Sequence, residues 1–223
     1  MSRNIADLWK NEYKQKGIPS SYLEGPSQCV LWFEEYIRQH SLKKGSALDI
    51  GCGRGRNAFY LSRSGFRVSC LDLVEENIAN IQSAAKEIDA KCHDLTKPFP
   101  YSNGHFDYAV DVFCFKHLAE EEARNHYLWE LKRVLKKGGV YLLSLASVED
   151  GFYGPLLGQS PNPAQRLVID PYSNIPSILY RREDVEKFFK GFNLLEFSEK
   201  RSIGQMHTKQ YIRCVLSFLF ESE

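Results

Sequence analysis

Apolar positions along this chain follow two alternating rhythms. Between Ser46 and Ala146, short apolar runs of strand character are separated by segments whose apolar residues recur every three or four positions. Ser46–Ile50 reads as a strand, Arg54–Arg63 as a helix closed near Gly65, and Phe66–Leu71 as a second strand. Val74, Ile78, Ile81, Ala85 and Ile88 mark one face of the next helix, and Ala90–His93 is a short third strand. Phe106–Phe113 has a continuous apolar centre, as a parallel strand buried on both faces requires. Leu128, Leu131 and Leu135 place a helix over Glu120–Leu135. Its predicted end is Lys136-Lys137-Gly138-Gly139, where cations meet the negative end of the helix dipole and glycine permits a left-handed turn. Val140–Ala146 follows as a fifth strand. Strands alternating with helices define an α/β protein with a doubly wound, mostly parallel sheet.

The flanks obey other rules. Ile5–Gln15 and Ser27–His40 read as N-terminal helices, the second carrying Val30, Phe33, Tyr36 and Ile37 at helical spacing. Residues 147–180 hold five prolines and three glycines without periodicity, which predicts a long irregular insertion. It leaves the carboxyl end of strand five, the side on which open α/β sheets bind ligands, so it reads as a substrate lid. After a helix at Arg182–Lys190, the strands Phe192–Phe197 and Tyr211–Phe220 have no helix between them. They predict an antiparallel C-terminal hairpin at the sheet edge that completes seven strands. The expected organisation is one domain, 1–223: an N-terminal helical cap (1–44), a binding core (45–146), the lid (147–180), and the C-terminal helix and hairpin (181–223).

Composition narrows the partners. The chain is 43% hydrophobic and 26% charged, which is globular, and its net charge of +1 supplies no field for nucleic acid or an anionic membrane. The Val215–Phe220 stretch is too short to span a bilayer, and Met1–Lys16 lacks the apolar core of a secretory signal. Six cysteines without a Cys-x-x-Cys pair and six scattered histidines predict a reduced, cytoplasmic protein with no metal site.

The candidate chemistry concentrates in Ala47-Leu48-Asp49-Ile50-Gly51-Cys52-Gly53-Arg54-Gly55. An apolar strand enters a turn of alternating glycines, and a helix leaves it. Gly51 and Gly53 let a ligand approach the main chain, and the helix that follows presents unpaired N–H groups. Asp49 either orders this loop or meets a ligand amino group. Asp72, in Cys70-Leu71-Asp72-Leu73 at the end of strand two, can accept hydrogen bonds from both ribose hydroxyls of an adenine nucleoside. A dinucleotide fingerprint would put its third glycine at position 56, where this chain has Arg; the third glycine is Gly55. At the end of strand four, backbone carbonyls near Asp111 and Val112 can hold an ammonium group. Phe113 and Phe115 can exclude water there, and His117 is the best-placed candidate base, or else a helix cap.

The Gly-x-Gly-x-Gly spacing, with Asp49 two residues ahead, resembles the first motif of class I S-adenosylmethionine-dependent methyltransferases. Phe106-Asp107-Tyr108-Ala109-Val110-Asp111 and Arg133-Val134-Leu135-Lys136-Lys137-Gly138-Gly139 match the same family further on, so that the likeness covers about residues 45–146. Trp9-Lys10-Asn11-Glu12-Tyr13 with Gly17-Ile18-Pro19 resembles the opening of the tellurite-resistance and thiopurine-methyltransferase-like branch, and Gly204-Gln205-Met206-His207 more loosely resembles its ending. The resemblance implies a Rossmann-like methyltransferase fold that binds S-adenosylmethionine and releases S-adenosylhomocysteine. It implies cofactor contacts from Asp49, Gly51, Cys52, Gly53, Asp72, Leu73, Asp94, Leu95, Asp111 and Val112, with Asp94 meeting the adenine amine. Trp9 would line the cofactor from the closing N-terminal segment. The Asx-Pro-Pro-aromatic turn that many relatives use for nitrogen acceptors is replaced by Asp111-Val112-Phe113-Cys114. The expected reaction is therefore in-line transfer to a sulfur, oxygen or metalloid nucleophile of a small molecule. A non-catalytic cofactor-binding sensor or partner subunit is the alternative.

Overall fold

The computed structural model describes residues 4–223. Helices α1 (Ile5–Gln15), α2 (Pro19–Tyr22) and α3 (Gln28–Gln39) precede the sheet. The alternating core then runs β1 (Ser46–Ile50), α4 (Arg56–Arg63), β2 (Arg67–Asp72), α5 (Glu75–Ala84), β3 (Asp89–Cys92), β4 (Phe106–Val112), α6 (Glu121–Val134) and β5 (Leu135–Ala146). After it come β6 (Leu167–Ile169), β7 (Pro176–Ile178), α7 (Arg182–Phe188), β8 (Phe192–Met206) and β9 (Lys209–Ser222).

Seven strands form one sheet in the order β3-β2-β1-β4-β5-β9-β8. The first five pair in parallel, and β9 joins antiparallel to both β5 and β8. The expected doubly wound, seven-stranded Rossmann-like fold with an antiparallel C-terminal hairpin and N-terminal helices is observed. Alternation along the strands builds its two faces. Leu48, Ile50, Ala109, Tyr141 and Leu143 pack with α6 and α7, whereas Ala47, Cys70, Val110, Leu142 and Leu219 pack with α3, α4 and α5. Gly55 (φ +83°) starts α4, and a Cβ there would press on Ile81, so this glycine lets α4 close on α5.

Three segments differ from the sequence expectation. Helix α6 ends at Val134, because Leu135 already pairs with Phe106; Gly138 (φ +74°) turns the chain between that pair and Tyr108–Val140. The insertion after β5 has regular structure: short 3-10 turns at Gly154–Gln159 and Pro163–Gln165, then the antiparallel β6–β7 pair. Asp170 makes the turn of that pair, its Oδ1 accepting the N–H groups of Tyr172 and Ser173. The C-terminal hairpin is also much longer than expected. Its turn, His207-Thr208, has both residues at positive φ (46° and 69°), the geometry of a two-residue hairpin turn without the usual glycine. The charged run Glu199-Lys200-Arg201 lies within the edge strand β8, where charge discourages pairing with another chain.

A third apolar cluster lies off the sheet. Leu8 of α1, Ile18, Phe152, Val168, Ile175, Leu179 and Met206 bury one another over the carboxyl ends of the strands. Cap, lid and hairpin tip thus share one small core. The His207 N–H donates to Gly17 O (2.7 Å), joining the two terminal motifs directly.

Candidate active site

The strand order reverses between β1 and β4, and there a cavity of about 710 Å³ opens at the carboxyl ends of the strands. Its floor is the glycine turn and the ends of β2, β3 and β4. Its roof is α1 and the lid.

Asp72 is the best-defined polar group in it. Its Oδ2 accepts Gly53 N–H (2.8 Å) and its Oδ1 accepts Val74 N–H (2.9 Å). Each oxygen keeps acceptor capacity toward the cavity that Asp72 lines. Burial pushes its pKa up, while the two backbone donors pull it down. Leu73, Asp94 and Leu95 line the same wall. Asp94 Oδ1 accepts the Thr96 N–H and hydroxyl, both at 2.9 Å, which caps the turn.

Gly51 lines the cavity with its backbone, and a Cβ there would overlap Cys114 Sγ. Gly53 lies beneath the Tyr13 hydroxyl, and the Cys52 side chain turns back into the core beside α4 and α5. Asp49 lies under the turn, nearly inaccessible, and its Oδ2 has no hydrogen-bond partner. Burial first, then the Asp111 and Asp72 charges, raise its pKa to about 7. Asp111 is also buried. It accepts N–H bonds from Cys114 and Phe115 and the Tyr127 hydroxyl (2.8 Å), so it shapes the bend after β4 rather than facing the cavity with its side chain. Burial raises its pKa to about 6. Val112 lines the cavity.

Beyond that bend, Phe113 holds a φ of +67°, a region costly for a bulky residue, and its ring faces the cavity. Phe115 does not share that wall; it is fully buried among Tyr127, Phe188 and Phe189. His117 does line it. Its Nδ1 lies 2.7 Å from Pro176 O, a contact that requires the proton on Nδ1 and leaves Nε2 as the basic nitrogen. Burial and the adjacent Lys116 hold its pKa well below the usual imidazole value, so the ring is neutral near pH 7. The Trp9 ring stands edge-on to His117 at 4.9 Å between centroids and closes the roof.

The structure therefore brings Trp9, Gly51, Asp72, Leu73, Asp94, Leu95, Val112 and His117 to one cavity. Asp49, Cys52, Gly53 and Asp111 support it from behind. Sequence reasoning missed Tyr13, whose ring lies over the glycine turn and whose carbonyl accepts the Arg54 guanidinium (3.0 Å). It also missed Asn174 and Pro176 of the lid, for which the Asp170-Pro171 turn signal was the available clue. The described residues contain no cluster of metal ligands, and no helix among them is long and apolar enough to cross a membrane.

The class of protein defined by this sheet and glycine turn agrees with comparisons to known proteins. Residues 47–139 match the family model described as a methyltransferase domain. The probable S-adenosyl-L-methionine-dependent methyltransferase TehB of Haemophilus influenzae is 25% identical over 164 residues, which are 72% of this chain and 49% of that protein. The chain spans about half the length of the curated relatives it matches. Among solved structures, TehB from Haemophilus influenzae superposes with a TM-score of 0.67 at 20% identity, covering 94% of this chain and 67% of the other. A Burkholderia thailandensis 1,6-didemethyltoxoflavin-N1-methyltransferase, with bound 1,6-didemethyltoxoflavin and S-adenosylhomocysteine, gives 0.71 at 16% identity, covering 98% and 88%. The resemblance to class I S-adenosylmethionine-dependent methyltransferases, in the TehB-like branch, holds in both sequence and fold.

Proposed function

We propose that this protein transfers a methyl group from S-adenosylmethionine to a sulfur, oxygen or metalloid nucleophile of a small molecule, in the cytoplasm. The observation that carries this reading is Asp72: a buried carboxylate at the glycine turn, anchored by one N–H on each oxygen and still open to two hydroxyl donors. At Gly51 the cavity meets bare backbone where no Cβ would fit, so the residues present fit the cofactor. Asp72 would hold the ribose, Asp94 and Leu95 the adenine end, and Gly51 the amino-acid end. When bound, the cofactor supplies a methyl on a sulfonium, an already activated leaving group. This chain's residues then have to align an acceptor and exclude water, for which Trp9, Phe113 and His117 supply one wall of the cavity. The free state of all six cysteines supports a reducing compartment.

Calorimetric titration with S-adenosylmethionine, S-adenosylhomocysteine and NAD tests this. Micromolar binding of the first two with no NAD binding is expected. Preference for NAD, or no binding of any, refutes it.

A further inference from the structure

The roof of the cavity comes from two distant pieces of chain. Helix α1 supplies Ile5, Leu8, Trp9 and Tyr13, and the β6–β7 pair supplies Ile169, Asn174 and Pro176. A third piece, the tip of the β8–β9 hairpin, ties the two together without lining the cavity itself. The His207 backbone N–H donates to Gly17 O (2.7 Å), just past α1. Its ring Nε2 lies 2.8 Å from Asp170 Oδ2 at the β6–β7 turn, a contact with a carboxylate that requires the proton on Nε2. The imidazole also stacks on Tyr172, at 4.5 Å between centroids, and leans on Phe152. Water scarcely reaches this pair: the His207 side chain is 8% exposed and that of Asp170 1%. The Tyr22 hydroxyl adds a second tie, to Gln205 O (3.1 Å).

The joint is poised rather than fully satisfied. Glu12 of α1 is completely buried. Its Oε1 accepts the Ile18 N–H (2.6 Å) and lies 2.9 Å from the Ser21 hydroxyl, which shapes the Gly17–Ile18 corner. Its Oε2 has no partner. A Cβ on Gly17 would stand 3.1 Å from that oxygen and would overlap the His207 ring, so corner, carboxylate and imidazole meet at one point. A dry carboxylate oxygen without a donor is costly, and parting the hairpin tip from this corner would admit water to it. Closure therefore rests on the small apolar core beneath and on the two His207 bonds.

Resting on the methyltransferase reading, we propose that His207 is a positioning residue that clasps α1 to the lid, and that this clasp opens for S-adenosylmethionine to enter and S-adenosylhomocysteine to leave. Gly17, Asp170 and His207 lie outside the cavity lining, so the clasp makes the same bonds with and without ligand. It governs both rates and leaves affinity alone. Without the Nε2 donor, Asp170 Oδ2 is unpaired in the closed roof and hydrated in the open one, which shifts the balance toward opening.

Stopped-flow tryptophan fluorescence with S-adenosylhomocysteine tests this, with thermal melting of each variant alongside. His207→Phe keeps a stacking ring and removes the donor. Gly17→Ala wedges the corner apart while keeping both His207 and Asp170. Each should speed uptake and release by about tenfold or more, with affinity within about threefold of wild type. His207→Gln, whose amide can still donate to Asp170, should keep both rates within about threefold of wild type. A merely structural residue would lower the melting temperature and leave the rates alone. Unchanged rates in a folded His207→Phe or Gly17→Ala protein, or weakened affinity without faster uptake, overturn the proposal while leaving the transferase reading intact. Failure of the wild-type protein to bind S-adenosylhomocysteine would sink that reading and the clasp with it.

Discussion

Replacing Asp72 with alanine separates two jobs that this carboxylate performs. In the free protein it accepts the N–H groups of Gly53 and Val74, so Asp72→Ala leaves two donors at the turn without their partner. Each unpaired donor costs about 1–3 kcal/mol if it stays dry, less where the cavity admits water, so a net loss of about 2 kcal/mol in stability is expected. With cofactor, two further hydroxyl bonds to a charged acceptor are lost. Such bonds contribute about 1.5–3 kcal/mol each. Burial already disfavours the ionised Asp72, and the emptied position rehydrates, so the lower end applies. The expected loss of binding is about 2–3 kcal/mol, or roughly 30- to 150-fold. Calorimetry with S-adenosylhomocysteine reads the second effect and thermal melting without ligand reads the first. Affinity within threefold of wild type, in a variant that still folds, would refute the assignment of Asp72 to the ribose.

Other consequences can be measured on the same protein. Asp49 and Asp111 have folded pKa values raised to about 7 and about 6. A raised carboxyl contributes stability below its unfolded pKa that is lost as pH rises through the folded value, so their contribution should fall between about pH 4 and pH 7. Asp49→Asn should flatten that dependence and raise ligand-free stability at pH 8 by about 1–3 kcal/mol; an unchanged urea-melt pH profile counts against it. Gly55→Ala, at φ +83° and against Ile81, should cost about 2 kcal/mol or more in chemical denaturation; a neutral result would show that α4 and α5 can part freely. Trp9→Ala removes the edge-on partner of His117 and part of the roof, and should weaken acceptor probes more than S-adenosylhomocysteine; the reverse order would place Trp9 against the cofactor instead.

The floor of the site was legible because it follows from local rules. A glycine turn after one buried strand and an aspartate at the end of the next are short-range signals, and parallel pairing of β1 with β2 in register brings them together. The roof was not. Tyr13, Asn174 and Pro176 reach the cavity from irregular chain, through packing that no periodicity reports. Cys52 shows another limit: it sits inside the motif, but the positive φ of the glycines on either side aims its side chain into the core. The strand after Phe197 was invisible for a different reason. Its charges look like loop in one dimension and are the normal surface of an edge strand in three.

The central claim is methyl transfer to a small molecule. The most direct measurement incubates the protein with S-adenosylmethionine labelled in its methyl group and a low-molecular-mass cell extract, then follows the label by chromatography. Label should appear in a methylated compound of low molecular mass, with stoichiometric S-adenosylhomocysteine. Label retained on the cofactor, or appearing in protein or nucleic acid, would contradict it.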